Sequence, residues 1–225
     1  MTRQWKAVTL PNNVTFIDTP GLADYEIRSE VAKNITEALQ EGGNFKFLFV
    51  ATTLNGRFKA EDVTTMNLVL DAVPQIGEDE FGIIVNQLEA AEFEGLKKPE
   101  NQEKFFMPLW AFLQKITTHI ELLAKDPELS GCENSVKEFP NMQQFVTSLQ
   151  TVHIDPSAVK DVESRDFSQI REEYETLVND EEKMREELRK KEEQIRRLRR
   201  DKENQWLKGI FAVLSTILVG AMLVA

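Results

Sequence analysis

Cysteine is nearly absent: the chain of 225 residues carries one, Cys132. A single thiol excludes an internal disulfide framework and suits a reducing compartment; its plain role is a small residue in a loop. Histidine is scarce as well. His119 and His153 lie far apart, with no metal-ligand cluster around either and no Ser-His-Asp motif context. Met1 to Leu10 lacks the apolar stretch of a signal peptide. Positive charge is in deficit: 27 Lys and Arg against 38 Asp and Glu leave a net charge of −11, which argues against a nucleic-acid surface. One further absence weighs most. No Gly-rich loop ending in Gly-Lys-Ser/Thr occurs anywhere, so the usual backbone cradle for nucleotide phosphates is missing.

Enough remains for a core, since 41% of residues are hydrophobic. The length allows one domain of ordinary size, about 100–200 residues, plus an appendage. From Thr2 to His153, strand-like and helix-like runs alternate. Strands are predicted at Trp5–Leu10, Val14–Asp18, Phe45–Thr52, Phe81–Asn86 and Ile116–Leu123. Helices are predicted around Arg28–Gln40, Glu61–Ala72, Gln102–Lys115 and Asn141–Leu149. Such alternation implies an α/β fold, a mostly parallel sheet with helices on both faces. Phe47-Leu48-Phe49-Val50 and Ile83-Ile84-Val85 are apolar without alternation, as strands covered on both sides are. Gly42-Gly43 fits a helix stop.

A polar linker with Pro156, residues 156–166, separates this domain (1–155) from a charged helix (167–205). Phe167, Ile170, Tyr174, Leu177, Met184, Leu188, Ile195 and Leu198 follow steps of three and four, a heptad seam. Glu181, Lys191 and Lys202 interrupt it, so a coiled coil and a lone stalk helix both stand. The chain then runs from Gly209 to Ala225 without a charge. A membrane span needs roughly 20 apolar residues, which Leu207–Ala225 supplies with Lys208 snorkelling. Arg196, Arg197, Arg199, Arg200 and Lys202 precede it and place that side in the cytosol. The expectation is a transmembrane tail anchor at 207–225.

The most informative stretch is Asp18-Thr19-Pro20-Gly21, directly after the apolar Val14-Thr15-Phe16-Ile17. Nucleoside-triphosphatases place an Asp at the carboxyl end of a strand to hold the water shell of Mg²⁺, and a following Gly to sense the γ-phosphate. Asn86-Gln87-Leu88-Glu89 stands 68 residues later, at the end of another strand. GTPases put Asn-Lys-x-Asp there, whose carboxylate accepts hydrogen bonds from the guanine ring. Glu89 offers the same group on a longer arm, and Gln87 keeps the aliphatic stem without the charge.

Thr15-Phe16-Ile17-Asp18-Thr19-Pro20-Gly21-Leu22 resembles the corresponding stretch of the AIG1-type GTPases, the immunity-associated (GIMAP) and chloroplast-import (Toc) relatives. That family also carries a strand, then Gly-Arg-aromatic, then an acidic residue opening a helix. Here the segment runs from Phe49 through Gly56-Arg57-Phe58 to Glu61-Asp62. The resemblance covers Trp5 to Leu96. It implies a partial phosphate-loop GTPase domain whose ligands in full-length relatives are GTP or GDP and Mg²⁺. Asp18 is then the metal residue, Asp18, Thr19, Pro20 and Gly21 the phosphate-side residues, and Asn86, Gln87 and Glu89 the base readers. No catalytic residue is assigned, because Leu22 and Ala23 stand where a catalytic Gln would follow Gly21. GTP hydrolysis is expected only if a phosphate loop exists in the full-length protein.

Two consequences follow from the missing front end. Without a phosphate loop, this chain is expected to bind GTP weakly or not at all. In the family's sheet the missing strand lies between the strand ending at Asp18 and the strand Phe45–Thr52. Its loss leaves unpaired backbone groups, each costing about 1–3 kcal/mol when buried. Either the chain is an incomplete version of a longer protein, which is the favoured reading, or Phe45 has closed against Val14. Asp126, Glu128 and Glu133 follow the last strand, at the position of the final guanine-contacting loop, and read as a solvated loop. The functional expectation is a membrane-tethered nucleotide switch or scaffold, self-associating through the G domain or the coiled coil. The alternatives are a non-catalytic membrane tether and a chloroplast-import receptor. The partner is a membrane, approached from the cytosolic face, and not a nucleic acid.

Overall fold

The computed structural model describes residues 6–9, 15–19, 22, 28–129, 140–162, 167–180, 187, 191 and 200. Along the chain run β1 (Lys6–Thr9), β2 (Thr15–Asp18), α1 (Arg28–Gln40), β3 (Gly43–Phe45), β4 (Phe47–Leu54), β5 (Arg57–Phe58), α2 (Ala60–Ala72), β6 (Phe81–Leu88), α3 (Ala90–Gly95), α4 (Pro99–Phe112), β7 (Ile120–Ala124), α5 (Pro140–Ser148), β8 (Val152–Ile154) and α6 (Phe167–Asn179). Single 3-10 turns lie at Pro127–Leu129 and Pro156–Ala158. The α/β class expected from the alternation is present, with mixed rather than purely parallel sheets.

The main sheet has the order β5-β4-β6-β7. β4 and β6 run parallel, Phe47 opposite Phe81 and Thr52 opposite Asn86. β6 and β7 are also parallel, Ile83 opposite Ile120. Period-two geometry sorts β6 onto two faces. Phe81, Ile83 and Val85 enter the principal core with Val63, Met66, Leu70, Leu109 and Leu113. Gly82 points the other way, where an added Cβ would lie 3.0 Å from both Phe145 and Leu149. Burial on both sides explains why Ile83-Ile84-Val85 shows no polar alternation.

Asn55 and Gly56 have φ of 52° and 74°. They turn β4 back into β5, pairing Leu54 with Arg57 and Thr53 with Phe58. This is the Asn-Gly turn whose positive φ values match strand twist. α1 buries Val31, Ala32, Ile35, Ala38 and Leu39, one stripe at helical spacing. It stops where expected, with the Gly42 N–H donating to the Leu39 carbonyl at 3.3 Å and Gly42 and Gly43 at φ 67° and 107°.

Three expectations change in the structure. First, the strand ending at Asp18 does not belong to the main sheet. β2 pairs only with β1 among the described residues, antiparallel, with Lys6 opposite Asp18. Nor does Phe45 close against that hairpin: it pairs with Val152 through β3 and β8. Second, the stretch read as a polar linker is strapped to the domain. The Lys160 N–H donates to the Ala72 carbonyl at 2.8 Å, the Val162 N–H donates to Thr36 Oγ1 at 3.0 Å, and Val159 and Val162 are buried. Third, the first turns of the heptad seam pack on the domain itself. Phe167, Tyr174 and Leu177 are buried, Tyr174 meets Phe112 edge-on at 5.1 Å, and the Arg28 guanidinium lies 3.9 Å over the Phe167 ring. Met184, Leu188, Ile195, Leu198 and the expected span Leu207–Ala225 lie outside the described residues. Among the described residues, no helix is long and apolar enough to cross a membrane.

The two glycines that end α1 separate conformational from steric cost. A Cβ on Gly43 would meet nothing within 4 Å, whereas one on Gly42 would lie 2.5 Å from Pro156 Cγ. Gly43→Ala is expected to lower stability by about 1 kcal/mol through its left-handed backbone. Gly42→Ala should cost more, because the Pro156 turn must also move. Urea denaturation of both variants measures the difference.

Candidate functional site

Because β4, β6 and β7 run parallel, their carboxyl ends share one edge of the sheet, where ligands of open α/β sheets bind. Three of the expected residues meet there. Asn86 Oδ1 accepts the Gln87 N–H at 2.9 Å, and Gln87 sits at φ 61°, a strained backbone for a side-chain-bearing residue. The pairing of β6 with β7 is irregular between Val85 and Leu88, which turns this segment out of the ladder. Glu89 opens the junction to α3 and lies 3.2 Å from Lys125 Nζ. The Lys125 N–H donates to the Leu88 carbonyl at 2.7 Å, tying the ends of β6 and β7 together. Such an exposed ion pair contributes about 0–1 kcal/mol, so it orients Glu89 without sequestering it.

The phosphate-side residues are elsewhere. Asp18 and Thr19 are exposed at the end of the separate hairpin, and sheet pairing does not carry them to the edge that holds Asn86. Pro20 and Gly21 lie outside the described residues. Leu22 is fully buried, and its carbonyl accepts Arg28 Nε–H at 2.9 Å. The chain is thus pinned to α1 directly after the motif.

Asp62, which enters the sequence analysis only as part of the family pattern, and Glu92, which does not enter it, occupy the same edge. Asp62 Oδ2 accepts the Thr52 N–H at 2.8 Å and the Thr52 hydroxyl at 3.1 Å. Burial pushes its carboxyl above the ordinary value, although the Thr52 hydrogen bonds and Lys59 oppose the shift. Glu92 Oε2 accepts the Thr53 hydroxyl at 3.2 Å, while its Oε1 is buried without a partner among the described residues. The available signal was the Asn55-Gly56 turn. It folds β4 back so that Thr52 and Thr53 face the first turns of α2 and α3.

Chemically, this edge is rich in carboxylate oxygens, with Lys125 beside Glu89 and Lys59 acting on Asp62. That suits hydrogen-bond donors such as ring N–H groups and disfavours phosphates. Among the described residues no group of three or more His, Cys, Asp or Glu side chains is placed to hold a metal ion. His119 Nε2 lies 3.6 Å from Asp79 Oδ2, and His153 Nδ1 is 3.1 Å from Asn44 Oδ1. Asp126 accepts the Glu128 N–H at 2.9 Å in a local turn; Glu133 and Cys132 lie outside the described residues.

The Asp62–Thr52 contact is testable. Asp62→Ala leaves the Thr52 N–H without its acceptor and should cost about 1–3 kcal/mol; Asp62→Asn keeps an acceptor and should cost less. A carboxyl held above its ordinary value of 3.8 binds its proton more tightly in the folded state. Its contribution is therefore fully present below about pH 3.8 and is lost as pH rises through the folded-state value. Unfolding free energies of wild type and Asp62→Asn across that range should diverge in favour of the wild type as pH falls.

Comparison with known proteins finds no match for this chain: no family model, no curated protein and no solved structure aligns with it significantly.

Proposed function

We propose that the protein is a GTP-binding protein of the AIG1 type, a membrane-anchored nucleotide-dependent switch or scaffold in its full-length form. The present chain alone binds GTP weakly or not at all. The observation that carries this reading is an open strand position. Thr52 turns its N–H and C=O away from β6, the C=O taking the Lys59 N–H at 3.2 Å. By the two-residue period of a strand, Leu48 and Val50 turn theirs the same way, and no described strand pairs with them. Among the described residues, the large apolar side chains left exposed are Val50 (58%) and Leu54 (63%) on β4 and Val8 (59%) and Phe16 (53%) on the hairpin. One additional parallel strand between hairpin and β4 satisfies both. A phosphate loop following that strand would open at the edge that holds Asn86 and Glu89, with Asp18 as the Mg²⁺ residue.

Isothermal titration of this chain with GTP and Mg²⁺ should register no measurable heat of binding. The same chain preceded by a strand and a Gly-x-x-x-x-Gly-Lys-Ser/Thr loop should bind, and Asp18→Ala in that longer chain should weaken binding in Mg²⁺ more than in EDTA. A longer chain that folds without binding any guanine nucleotide would favour the second reading, a non-catalytic membrane tether. Engagement of Glu89 by Lys125 and the carboxylate-rich edge are the observations in its favour.

Membrane attachment rests on the uncharged Gly209–Ala225 and the basic residues before it. Full-length protein should float with vesicles of neutral and anionic lipid, and a variant lacking Leu207–Ala225 should stay at the bottom of the gradient. Flotation of the deletion variant would remove the anchor from this reading.

A further inference from the structure

A second surface, on the opposite side of the sheet from the open β4 position, carries its own set of recognition groups. α4 and β7 enclose a groove of ≈ 640 Å³ whose lining includes Phe106, Trp110, Ile120 and Leu122, with Glu100 and Glu103 at its rim. Three independent observations bear on what fits there. Among the described residues, β7 is an edge strand. The Ile83 N–H donates to the His119 carbonyl at 2.9 Å, so His119 and Glu121 direct their main chain at β6. Ile120 and Leu122 direct theirs outward, where no described strand pairs with them. Trp110 is 7% exposed, yet its indole N–H has no acceptor among the described residues. A buried donor of this kind normally finds a partner. The two rim carboxylates come from one face of α4, three residues apart, and give the mouth a negative sign.

We propose that this groove binds an extended peptide segment alternating apolar and basic residues, added as a further strand to β7. The peptide's main chain pairs with Ile120 and Leu122, and one of its carbonyls accepts the Trp110 indole N–H. Its apolar side chains enter over Phe106 and Leu122, and its basic side chains meet Glu100 and Glu103. Strand addition takes affinity from main-chain hydrogen bonds and specificity from alternate side chains. The acidic rim selects a basic partner and sets a salt-dependent association rate. This inference does not depend on the nucleotide reading.

The probe is a synthetic peptide of about nine alternating lysine and valine residues, the length of a long strand, titrated into the full chain. Binding is expected, with movement of the NMR indole resonance that disappears in Trp110→Phe. That variant should weaken binding about tenfold through loss of one hydrogen bond. Glu100→Gln with Glu103→Gln, two substitutions at the rim of the groove, should weaken binding and flatten its dependence on salt. A peptide N-methylated at the amides that face β7, and one with glutamate in place of lysine, should not bind. The proposal is overturned by absence of binding, by a stationary indole resonance, by equal affinity in the rim variant, or by undiminished binding of the N-methylated peptide.

Discussion

The parallel pairing of Phe47–Thr52 with Phe81–Asn86 organises everything else in the domain. A parallel ladder needs long crossover connections and apolar cover on both faces. Here α2 supplies the connection between β4 and β6, α3 and α4 the connection to β7, and α1, α5 and α6 complete the packing. The ladder also sets all three carboxyl ends on one edge, and that placement brings Asn86, Glu89 and Lys125 together. β4 is the strand on which the arrangement turns. Its inner side is paired from Phe47 to Thr52, whereas its outer side, among the described residues, is paired only at Thr53 and Leu54, by β5, and occupied at Thr52 by Asp62 and Lys59.

That outer side links fold to function. Strand edges that expose apolar side chains and main-chain hydrogen-bonding groups pair readily with other strands. Val50 presents such an edge, whereas Leu54, also exposed, already pairs with Arg57 of β5; Val8 and Phe16 present a second apolar face on the hairpin. Asp62 ends the open stretch at Thr52 by doing with a carboxylate what a neighbouring strand does with a carbonyl. The penalty for burying that charge appears in its raised proton affinity. The outer side of β4 and the outer side of β7 are thus two places, at opposite ends of the sheet, where main-chain groups meet no described strand.

Much of the fold was legible along the chain. The stripe from Val31 to Leu39 and the glycine pair behind it located α1 to the residue. The unalternating apolar runs marked β4 and β6 as central. The short elements were harder. β5 depends on a two-residue turn, which Asn55-Gly56 signals but which was read only as part of a family pattern. β3 and β8 have three residues each and hold together through partners about 110 positions apart, so no local pattern announces them. α3, of six residues, buries none of its side chains and therefore has no apolar period to read. Of the candidate site, Asn86 and Gln87 stand at the end of β6 with Glu89 directly after it, whereas Asp18 ends a hairpin outside the sheet. Asp62 and Glu92 were not legible, because a carboxylate opening a helix looks solvated until the strand it caps is known.

Local periodicity and turn chemistry were enough to establish an α/β chain, the limits of its long helices and the absence of a phosphate cradle, since each depends on neighbours within a few positions. Packing in three dimensions settled which strands share a sheet. It folded the supposed linker and the start of the charged helix onto the domain. It also drew Asp62 and Glu92 to the edge where β4 ends. Those outcomes rest on contacts between residues distant along the chain, where the cost of closing each loop is balanced by burial that no single segment reveals.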